Sequence, residues 1–358
     1  MKHRPVRVSV RFCIAALVAA AVTAVVAVPA SATSGLRVVQ SPFVANSALY
    51  GAAVIASNDM WAVGNIGSGI GVGPFQTLAE HFDGSSWRVV PTPDLNNASL
   101  FGVAGATSSD VWAVGDQAAG NSVTTLVEHW NGSSWNVFAS PNLPKGSELV
   151  GVVAPSSNNV WAAGFTSGNA LVEHWNGSAW SVVSSPAFTG VTSLTGISAD
   201  SSSDVWAVGG LAGGGTTSLH WDGQSWTKIP TAFLRFGGVQ AVAALSPTNV
   251  WAVGTGPGVH PTAVVEHWDG SSWSVVASPN PNPQGNNSLN AVAAVSANDI
   301  WAVGRQLLGP FTEHWNGSSW TIVRTPSGIN FLAGMASSPG GTVLAVGQAN
   351  GSGIILSN

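Results

Sequence analysis

A short motif that combines an acid, an imidazole and up to two indoles occurs six times in this chain. The copies read "EHFDGSSW", "EHWNGSSW", "EHWNGSAW", "LHWDGQSW", "EHWDGSSW" and "EHWNGSSW", and they begin at Glu80, Glu128, Glu173, Leu219, Glu266 and Glu313. A carboxyl group beside an imidazole has the composition of a general acid–base pair. The motif is therefore either a repeated active site or the frame of a repeated fold.

The repetition favours a frame, because one substrate needs only one site. Successive strand residues point to opposite faces, so Glu128 and Trp130 are predicted on one face and His129 on the other. The fourth copy has Leu219 in place of the acid, which a frame tolerates. The indoles would fill the core at about 2–3 kcal/mol each. Glu and His would bond indole N–H groups and backbone amides. A ligand site repeated in every copy is the alternative.

A second motif sets the period of the repeat. "DVWAVG" at Asp110 has five further close copies, and a seventh, "TVLAVG", has Leu344 in place of Trp. The spacing of 43 to 51 residues between copies is that of a four-stranded propeller blade. Each unit holds four segments rich in Val, Trp and Phe and bounded by turn residues, as strands are. The tryptophans of this motif are Trp61, Trp112, Trp161, Trp206, Trp251 and Trp301.

The two ends of the chain predict a closed ring. "LRVVQSP" from Leu36 matches "WRVVPTP" from Trp87, so the first strand supplies the fourth strand of the last unit. Closure of this kind leaves no exposed sheet edge between blades. We predict an all-β, seven-bladed β-propeller with four-stranded antiparallel blades and 3+1 closure; two β-sandwiches would not explain the match. The predicted domain is 33–358, with blades at 48–97, 98–147, 148–191, 192–236, 237–286, 287–329, and 330–358 plus 35–43.

The two faces of this predicted disc differ in regularity. The first-strand Gly or Ala always precedes the "DVWAVG" Trp by ten residues, and the motif His always precedes the second motif Trp by six. The separation between the "DVWAVG" Trp and the motif His instead varies from 13 to 20 residues. The second-to-third loops and the blade connections therefore share one face, called here the variable-loop face, where function usually resides. The opposite face is called the fixed-turn face.

The first residues predict export. Lys2, Arg4, Arg7 and Arg11 precede an apolar run over 12–28 and the small-residue sequence "PASAT". This is the pattern of a secretory signal peptide over residues 1–32, cleaved after Ala32. An uncleaved membrane anchor is the alternative, but the run is short for one. The predicted product is secreted, extracellular and free of the membrane.

The composition after residue 32 excludes several classes of partner. Seven Lys and Arg stand against sixteen Asp and Glu, so a nucleic-acid-binding protein is not expected. Cys13 is the only cysteine and lies within the predicted signal peptide, so neither lipidation nor disulfides are expected. No spacing of His and carboxylates suits a metal ion, and no cofactor is predicted. We expect a monomer.

The "NGS" sequences at Asn131, Asn176 and Asn316 match the glycosylation sequon. An Asn-Gly hairpin turn followed by serine explains them equally well, because glycine supplies the positive φ that such turns need. "DGSSW" is similar to the aspartate box of sialidase-like propellers, but its spacing is one residue short. We interpret both patterns as turns.

Together, "DVWAVG" and "EHWNGSSW" resemble the repeats of secreted bacterial propellers in an uncharacterised branch of the kelch and galactose-oxidase-like superfamily. The resemblance covers Leu36–Asn358 and implies the fold and export, but no activity. Tyr50 is the only tyrosine, and Cys13 would be removed with the leader, so the copper chemistry of galactose oxidase is excluded.

The sequence therefore predicts a secreted, non-catalytic binding or scaffold propeller. Its partner would be a glycan, a cell-wall component or a protein held on the variable-loop face. The alternative is an extracellular carbohydrate-active enzyme, a hydrolase or lyase, that uses the same face and needs paired carboxylates there. Asp116 is one carboxylate in a variable loop.

One first-strand position does not repeat and suggests where a ligand binds. Around the ring it holds Tyr50, Phe101, Val150, Thr195, Gln240, Asn290 and Ala333. Its polar members come from the adjacent blades four, five and six, whose variable loops also carry a histidine and an arginine. Hydrogen-bonding groups beside apolar Leu307 and Leu308 suit a sugar or a peptide. The predicted ligand-binding residues are Thr195, Gln240, His260, Asn290 and Arg305.

Overall fold

The computed structural model describes residues 35–67, 74–141, 143, 146–232 and 237–358. The predicted signal peptide lies outside these residues. Seven four-stranded antiparallel sheets account for the strands, and the only helical turn in this part of the chain is a 3-10 helix at Pro186–Phe188. Within the same residues, no helix is long and apolar enough to cross a membrane. The all-β, seven-bladed propeller is confirmed.

The strands follow one another as four consecutive segments per blade. Closing strand β1 is Arg37–Val38, and blade one contains β2 (Ser47–Ala56), β3 (Asp59–Ile66), β4 (Gln76–Phe82) and β5 (Trp87–Val90). Blades two and three contain β6 (Ala98–Thr107), β7 (Asp110–Ala119), β8 (Ser122–Trp130), β9 (Trp135–Val137), β10 (Glu148–Ser156), β11 (Asn159–Thr166), β12 (Asn169–Trp175) and β13 (Trp180–Val182).

The remaining four blades repeat this order. Blades four and five contain β14 (Val191–Ser201), β15 (Asp204–Leu211), β16 (Thr216–Trp221), β17 (Trp226–Pro230), β18 (Gly238–Ser246), β19 (Asn249–Thr255), β20 (Ala263–Trp268) and β21 (Trp273–Val276). Blades six and seven contain β22 (Ser288–Ser296), β23 (Asp299–Gln306), β24 (Gly309–Trp315), β25 (Trp320–Val323), β26 (Ile329–Ser337), β27 (Val343–Ala349) and β28 (Ser352–Ser357).

The ring closes as the sequence predicts. The seventh sheet has the order β1-β28-β27-β26, with Arg37 opposite Ser357 and Val38 opposite Leu356. The amide of Val39 extends the ladder by donating to the carbonyl of Ile355 over 3.0 Å. The closing blade is thus built from both ends of the domain.

Each first strand carries a β-bulge at the non-repeating position. In blade one the register shifts between Leu49 and Gly51, which leaves Tyr50 as the extra residue, and the other six blades do the same. The Gly or Ala that follows allows neighbouring first strands to approach closely around the channel. A Cβ on Gly102, for example, would lie 3.0 Å from the Cα of Gly151.

The wedges between blades hold the tryptophans of both motifs. Trp61 of blade one is fully buried and lies 5.1 Å, ring to ring, from both Trp130 and Trp135 of blade two. Equivalent clusters surround Trp112, Trp161, Trp206 and Trp251. Edge-to-face contacts of this kind stabilise a core beyond the area that they bury.

The histidine of the first motif is part of this frame. In six blades its Nε2 donates over 2.7–2.9 Å to the Asp or Asn that opens the second strand, and its ring lies 4.0–4.5 Å from the buried Trp. In blade two the pair is His129 and Asp110, and the His129 ring lies 4.2 Å from that of Trp112. A hydrogen bond thus links the first letter of "DVWAVG" to the middle letter of "EHW" in six blades, a partner that the sequence interpretation missed.

The glutamate of the motif faces the opposite wedge. Glu173 and Glu313 accept hydrogen bonds of 2.6 Å from the hydroxyls of Ser140 and Ser278 in the preceding blade. Glu266 accepts a backbone amide, from Ala232. The predicted glutamate–indole bonds are therefore not those that form. Glu and His of one copy serve different wedges, so they cannot act as an acid–base pair, and the motif is a frame.

The "NG" and "DG" turns are held by a side chain as well as by glycine. Asn131 Oδ1 accepts the amides of Ser133 and Ser134 over 3.0 Å, and Gly132 has a φ of +92°. Asp83 and Asp269 do the same in their blades. The sequon-like "NGS" thus has a structural explanation in the turn.

Candidate binding cleft on the variable-loop face

The sequence-predicted site residues fall into two separate groups. Thr195 and Asn290 are bulge residues of the channel wall, and both are engaged with the next blade. Thr195 Oγ1 donates to the carbonyl of Val239 over 2.7 Å, and Asn290 Nδ2 donates to the carbonyl of Leu332 over 3.1 Å. These hydrogen bonds therefore join adjacent first strands. Gln240, the third polar bulge residue, is exposed.

The two predicted loop residues lie outside the channel wall. His260 is exposed and packs along Gly285 in the connection between blades five and six. Arg305 is exposed and lines a cleft of about 380 Å³. None of the other four predicted residues lines that cleft. Its remaining walls are Thr255, Pro261, Asn286, Asn287, Ser288, Gln306 and Leu307.

A different cleft on the same face combines aromatic rings with amides. It has a volume of about 510 Å³ and lies where blade seven meets blade one. Tyr50 and Phe331 stack there with ring centroids 6.2 Å apart and planes 12° apart. Phe75 packs on Gly67 and adds a third ring to the wall. We call this the aromatic cleft.

Polar groups of the aromatic cleft are all neutral amides or hydroxyls. Asn65 bonds the Tyr50 hydroxyl and donates to Ser99 over 2.9 Å, while Gln348 donates to the carbonyl of Ser47 over 3.0 Å. Burial raises the pKa of Tyr50, and the bond with Asn65 partly opposes the rise. The described wall includes no Asp, Glu, His, Lys or Arg. Such a surface can stack flat groups and exchange hydrogen bonds without selecting for charge.

The sequence contained part of this signal. Tyr50 and Phe101 are the aromatic members of the non-repeating bulge position, and their rings lie 5.7 Å apart. Phe331 stands two residues before its own blade's bulge residue, Ala333, and so was not aligned with them. Phe75 lies in a variable loop, where no repeat marks it. The rings converge only because blades seven, one and two are neighbours in the ring.

One carboxylate pair also appears on this face. Asp116 and Glu148 belong to blades two and three, and Glu148 lines a cleft of about 520 Å³. Burial raises the pKa of Asp116 to about 6. Burial and the neighbouring charge of Asp116 raise the pKa of Glu148 to about 7. Across the described residues, no group of three His, Cys, Asp or Glu side chains is placed to hold a metal ion.

Comparison with known proteins identifies the fold. No protein-family model and no curated protein sequence matches this chain. YCF48 from Cyanidioschyzon merolae is similar in structure, with a TM-score of 0.60 and 17% identity over 89% of this chain and 98% of that one. YCF48 bound to a D1 peptide has a TM-score of 0.58 and 17% identity over 90% and 94%. The RRP9 WD40 repeats have a TM-score of 0.62 and 13% identity over 90% and 96%.

These similar structures are propellers of the YCF48 and WD40 types. They are not of the kelch or galactose-oxidase type that the motifs resemble, so that part of the resemblance is not supported. At such low identity, the likeness establishes the fold alone. What it confirms is the ring of blades over most of the chain's length.

Proposed function

We propose that this chain is an exported, non-catalytic binding propeller that holds a segment of another protein in the aromatic cleft. The observation that carries the proposal is the convergence of Tyr50, Phe75 and Phe331 with the amides of Asn65 and Gln348. A polypeptide segment offers what this wall can bind: apolar side chains for the rings and amides for the polar groups.

The neutrality of the wall and the related folds support this choice. A cleft without a cationic side chain cannot form an ion pair with a phosphate or an acidic partner, but it suits an uncharged peptide. YCF48 has been captured with a D1 peptide, and WD40 propellers share the ring architecture. A glycan or cell-wall component is the other ligand class that aromatic faces and amides can bind. The proposal also includes secretion by the predicted signal peptide and a monomeric state.

The test starts from a phage-displayed peptide library selected on the purified domain, residues 33–358. The affinity of a selected peptide is then measured for Tyr50→Leu and Phe331→Leu, which retain apolar bulk but remove the rings. We expect each change to weaken binding at least about tenfold, a loss of ~1.4 kcal/mol. Phe101→Leu is the matched control, because Phe101 contacts Tyr50 but is not part of the cleft wall.

The same measurements separate this site from the one predicted on blades four to six. Arg305→Ala and Gln240→Ala weaken binding about tenfold if the ligand sits there, and they leave it unchanged if it sits in the aromatic cleft. Melting temperatures should stay constant for both, since both side chains are exposed. A glycan array probed with the same protein distinguishes the ligand classes. If the protein binds a glycan and Tyr50→Leu abolishes that binding, the aromatic cleft is supported as the site but a peptide is rejected as the ligand.

A second candidate function, a glycoside hydrolase or lyase, has one specific observation in its favour. The neighbouring carboxyls of Asp116 and Glu148 have raised pKa values, and a proton donor beside a carboxylate is what glycoside cleavage uses. Turnover of a polysaccharide panel by the wild type, lost in both Asp116→Asn and Glu148→Gln, would support it. Absence of turnover at pH 5–7 across the panel rejects it.

A further inference from the structure

The wedge between blades seven and one departs from the five wedges that join blades one to six. In the wedge between blades one and two, Trp61 of blade one stacks on His81 of the same blade and lies against Trp130 and Trp135 of blade two. In the closing wedge, every one of these positions except the last holds a smaller side chain. Strand pairing identifies the replacements: Leu344 for Trp61, Ser357 for His81, Phe82 for Trp130 and Trp87 for Trp135.

These replacements leave a groove. Its volume is about 750 Å³, and it opens toward the fixed-turn face, opposite the aromatic cleft. Its apolar wall combines Met60, Phe82 and Trp87 of blade one with Leu344 and Val39 of the closing blade. Phe82 and Trp87 lie 5.7 Å apart, ring to ring, in the orientation that Trp130 and Trp135 have in the next wedge. We call this the seam groove.

The floor and the rim of the seam groove differ in polarity. Leu344 is fully buried, and Met60 and Trp87 are nearly so. Hydroxyl and amide groups surround the opening, and the side chain of Asn358 is fixed there by bonds to the amide of Val343 and the carbonyl of Gly341. The other polar rim residues are Gln40, Ser41, Ser57, Ser85, Ser86, Thr342 and Ser357.

We propose that the seam groove is a binding site for a tryptophan side chain presented by a partner polypeptide. The five wedges from blade one to blade six show which group this architecture accommodates, because each seats an indole against two aromatic residues of the next blade. The seam groove retains the two aromatic residues but has Leu344 where that indole stands. An entering indole would contact Phe82 and Trp87, and the rim amides and hydroxyls would bond the partner's backbone.

The probe is N-acetyl-tryptophanamide, which presents the indole with one peptide unit on either side. The domain itself contains many tryptophans, so binding is followed by ligand-observed saturation-transfer NMR and by calorimetry rather than by fluorescence. We expect binding by wild type at least about fivefold tighter than that of N-acetyl-leucinamide, the control for general apolar contact. Equal binding of the two probes, or none, overturns the proposal.

Leu344→Trp locates the site. This change gives the seam the residue that "DVWAVG" has in the other blades, so the protein's own indole should occupy the groove. Probe binding should fall at least about tenfold while the melting temperature stays the same or rises. Undiminished binding to a folded Leu344→Trp protein places the probe elsewhere and overturns the assignment.

Phe82→Leu provides a second route if Leu344→Trp folds poorly. It keeps an apolar side chain but removes one aromatic wall, so N-acetyl-tryptophanamide should bind about three- to tenfold more weakly and N-acetyl-leucinamide should be unaffected. Tyr50→Leu, on the opposite face, should change neither affinity. Loss of binding with Tyr50→Leu but not with Phe82→Leu would assign the probe to the aromatic cleft and contradict the seam site. The affinity of the selected peptide for the aromatic cleft is measured separately, so failure of one proposal leaves the other testable.

Discussion

The inter-blade wedges and the channel mouth are built from the same repeat but follow opposite rules. In the wedges, six blades place His, Trp and an Asp or Asn in one geometry, with His–Asp or His–Asn bonds of 2.7–2.9 Å. At the channel mouth, the bulge position changes from blade to blade, from Tyr50 through Thr195 to Asn290. The wedges fix the ring, while the bulge position holds a different side chain in each blade.

This contrast predicts that changes in the wedges alter stability and changes at the mouth alter binding. A wedge side chain is surrounded on two sides by other blades, so its loss leaves a cavity or an unpaired polar group. A mouth side chain has solvent on one side, so its loss removes contacts with a ligand instead. Four predictions test the wedge half of the contrast.

The largest effect is expected from removing the closing strand. Deletion of residues 34–42 takes away β1 and Leu36, which is buried against Trp301 in the wedge between blades six and seven. Unpairing β28 exposes a sheet edge and part of two wedges. We expect loss of cooperative folding, measured by thermal denaturation and size-exclusion chromatography. A soluble deletion variant with an unchanged melting temperature would contradict the closure by β1.

Removal of one frame indole should be the next most damaging change. Trp112→Ala deletes a side chain that is 1% exposed and contacts Trp175 and Trp180, so unfolding should cost about 3–5 kcal/mol less. Leu344→Ala removes a smaller side chain beside the seam groove and should lower the free energy of unfolding by about 2–3 kcal/mol. Urea denaturation measures both. A larger loss for Leu344 than for Trp112 would mean that the closing wedge, not the regular one, dominates stability.

The buried glutamates make the wedges sensitive to pH. Burial raises the pKa of Glu128 to about 8, from an ordinary value of 4.5, and that of Glu80, Glu173 and Glu313 to about 7. The folded state then holds protons that the unfolded chain has released, so stability falls as pH rises from 6.5 to 8. Each such proton is worth up to about 1.4 kcal/mol per pH unit.

Glu128→Gln should make the pH dependence of stability shallower in this interval, because Glu80, Glu173 and Glu313 remain, without changing binding of the selected peptide. Burial lowers the pKa of His174 and His267, which gives an opposite slope that fades as the pH rises above the ordinary histidine value of 6.5. Melting temperatures at several pH values for wild type and Glu128→Gln provide the comparison. A wild-type curve that is flat or rises from pH 6.5 to 8 rules out the protonated glutamates.

The smallest of these effects should come from the motif histidine. His129→Gln removes the bond to Asp110 and the ring contact with Trp112 but leaves a side chain that can reach a neighbouring oxygen. We expect a loss of about 1–2 kcal/mol in unfolding free energy, in the range of a single hydrogen bond to a charged group. Peptide affinity should not change. A variant of normal stability that has lost peptide binding would show that the motif is part of a ligand site.

The wedges were predictable from sequence because repetition marks them. The period, the closing match of "LRVVQSP" and the structural role of "EHWNGSSW" follow from residues that recur at constant spacing. The His–Asp bond was missed although both letters recur, because the sequence separation of its two residues varies from 15 to 22 positions between blades.

The channel mouth was much less predictable from sequence, because its residues differ from blade to blade and no repeat marks their positions. The polar cluster of Thr195, Gln240 and Asn290 suggested a site, yet two of the three bond backbone carbonyls of adjacent blades. The aromatic cleft depends on Phe75 and Phe331, which align with no repeat position. Convergence of residues from blades seven and one is a property of the closed ring and is absent from any single repeat.

The pairing of Arg37 with Ser357 has a consequence for how the molecule comes into being. The closing contact joins residues 320 positions apart in the sequence, and contacts of such long range delay folding because the intervening chain must be brought together first. Until the last strand emerges, the first one has nothing to pair with. The ring can therefore lock only when the whole domain, from β1 to β28, is available, which makes closure the step of folding that depends on every blade.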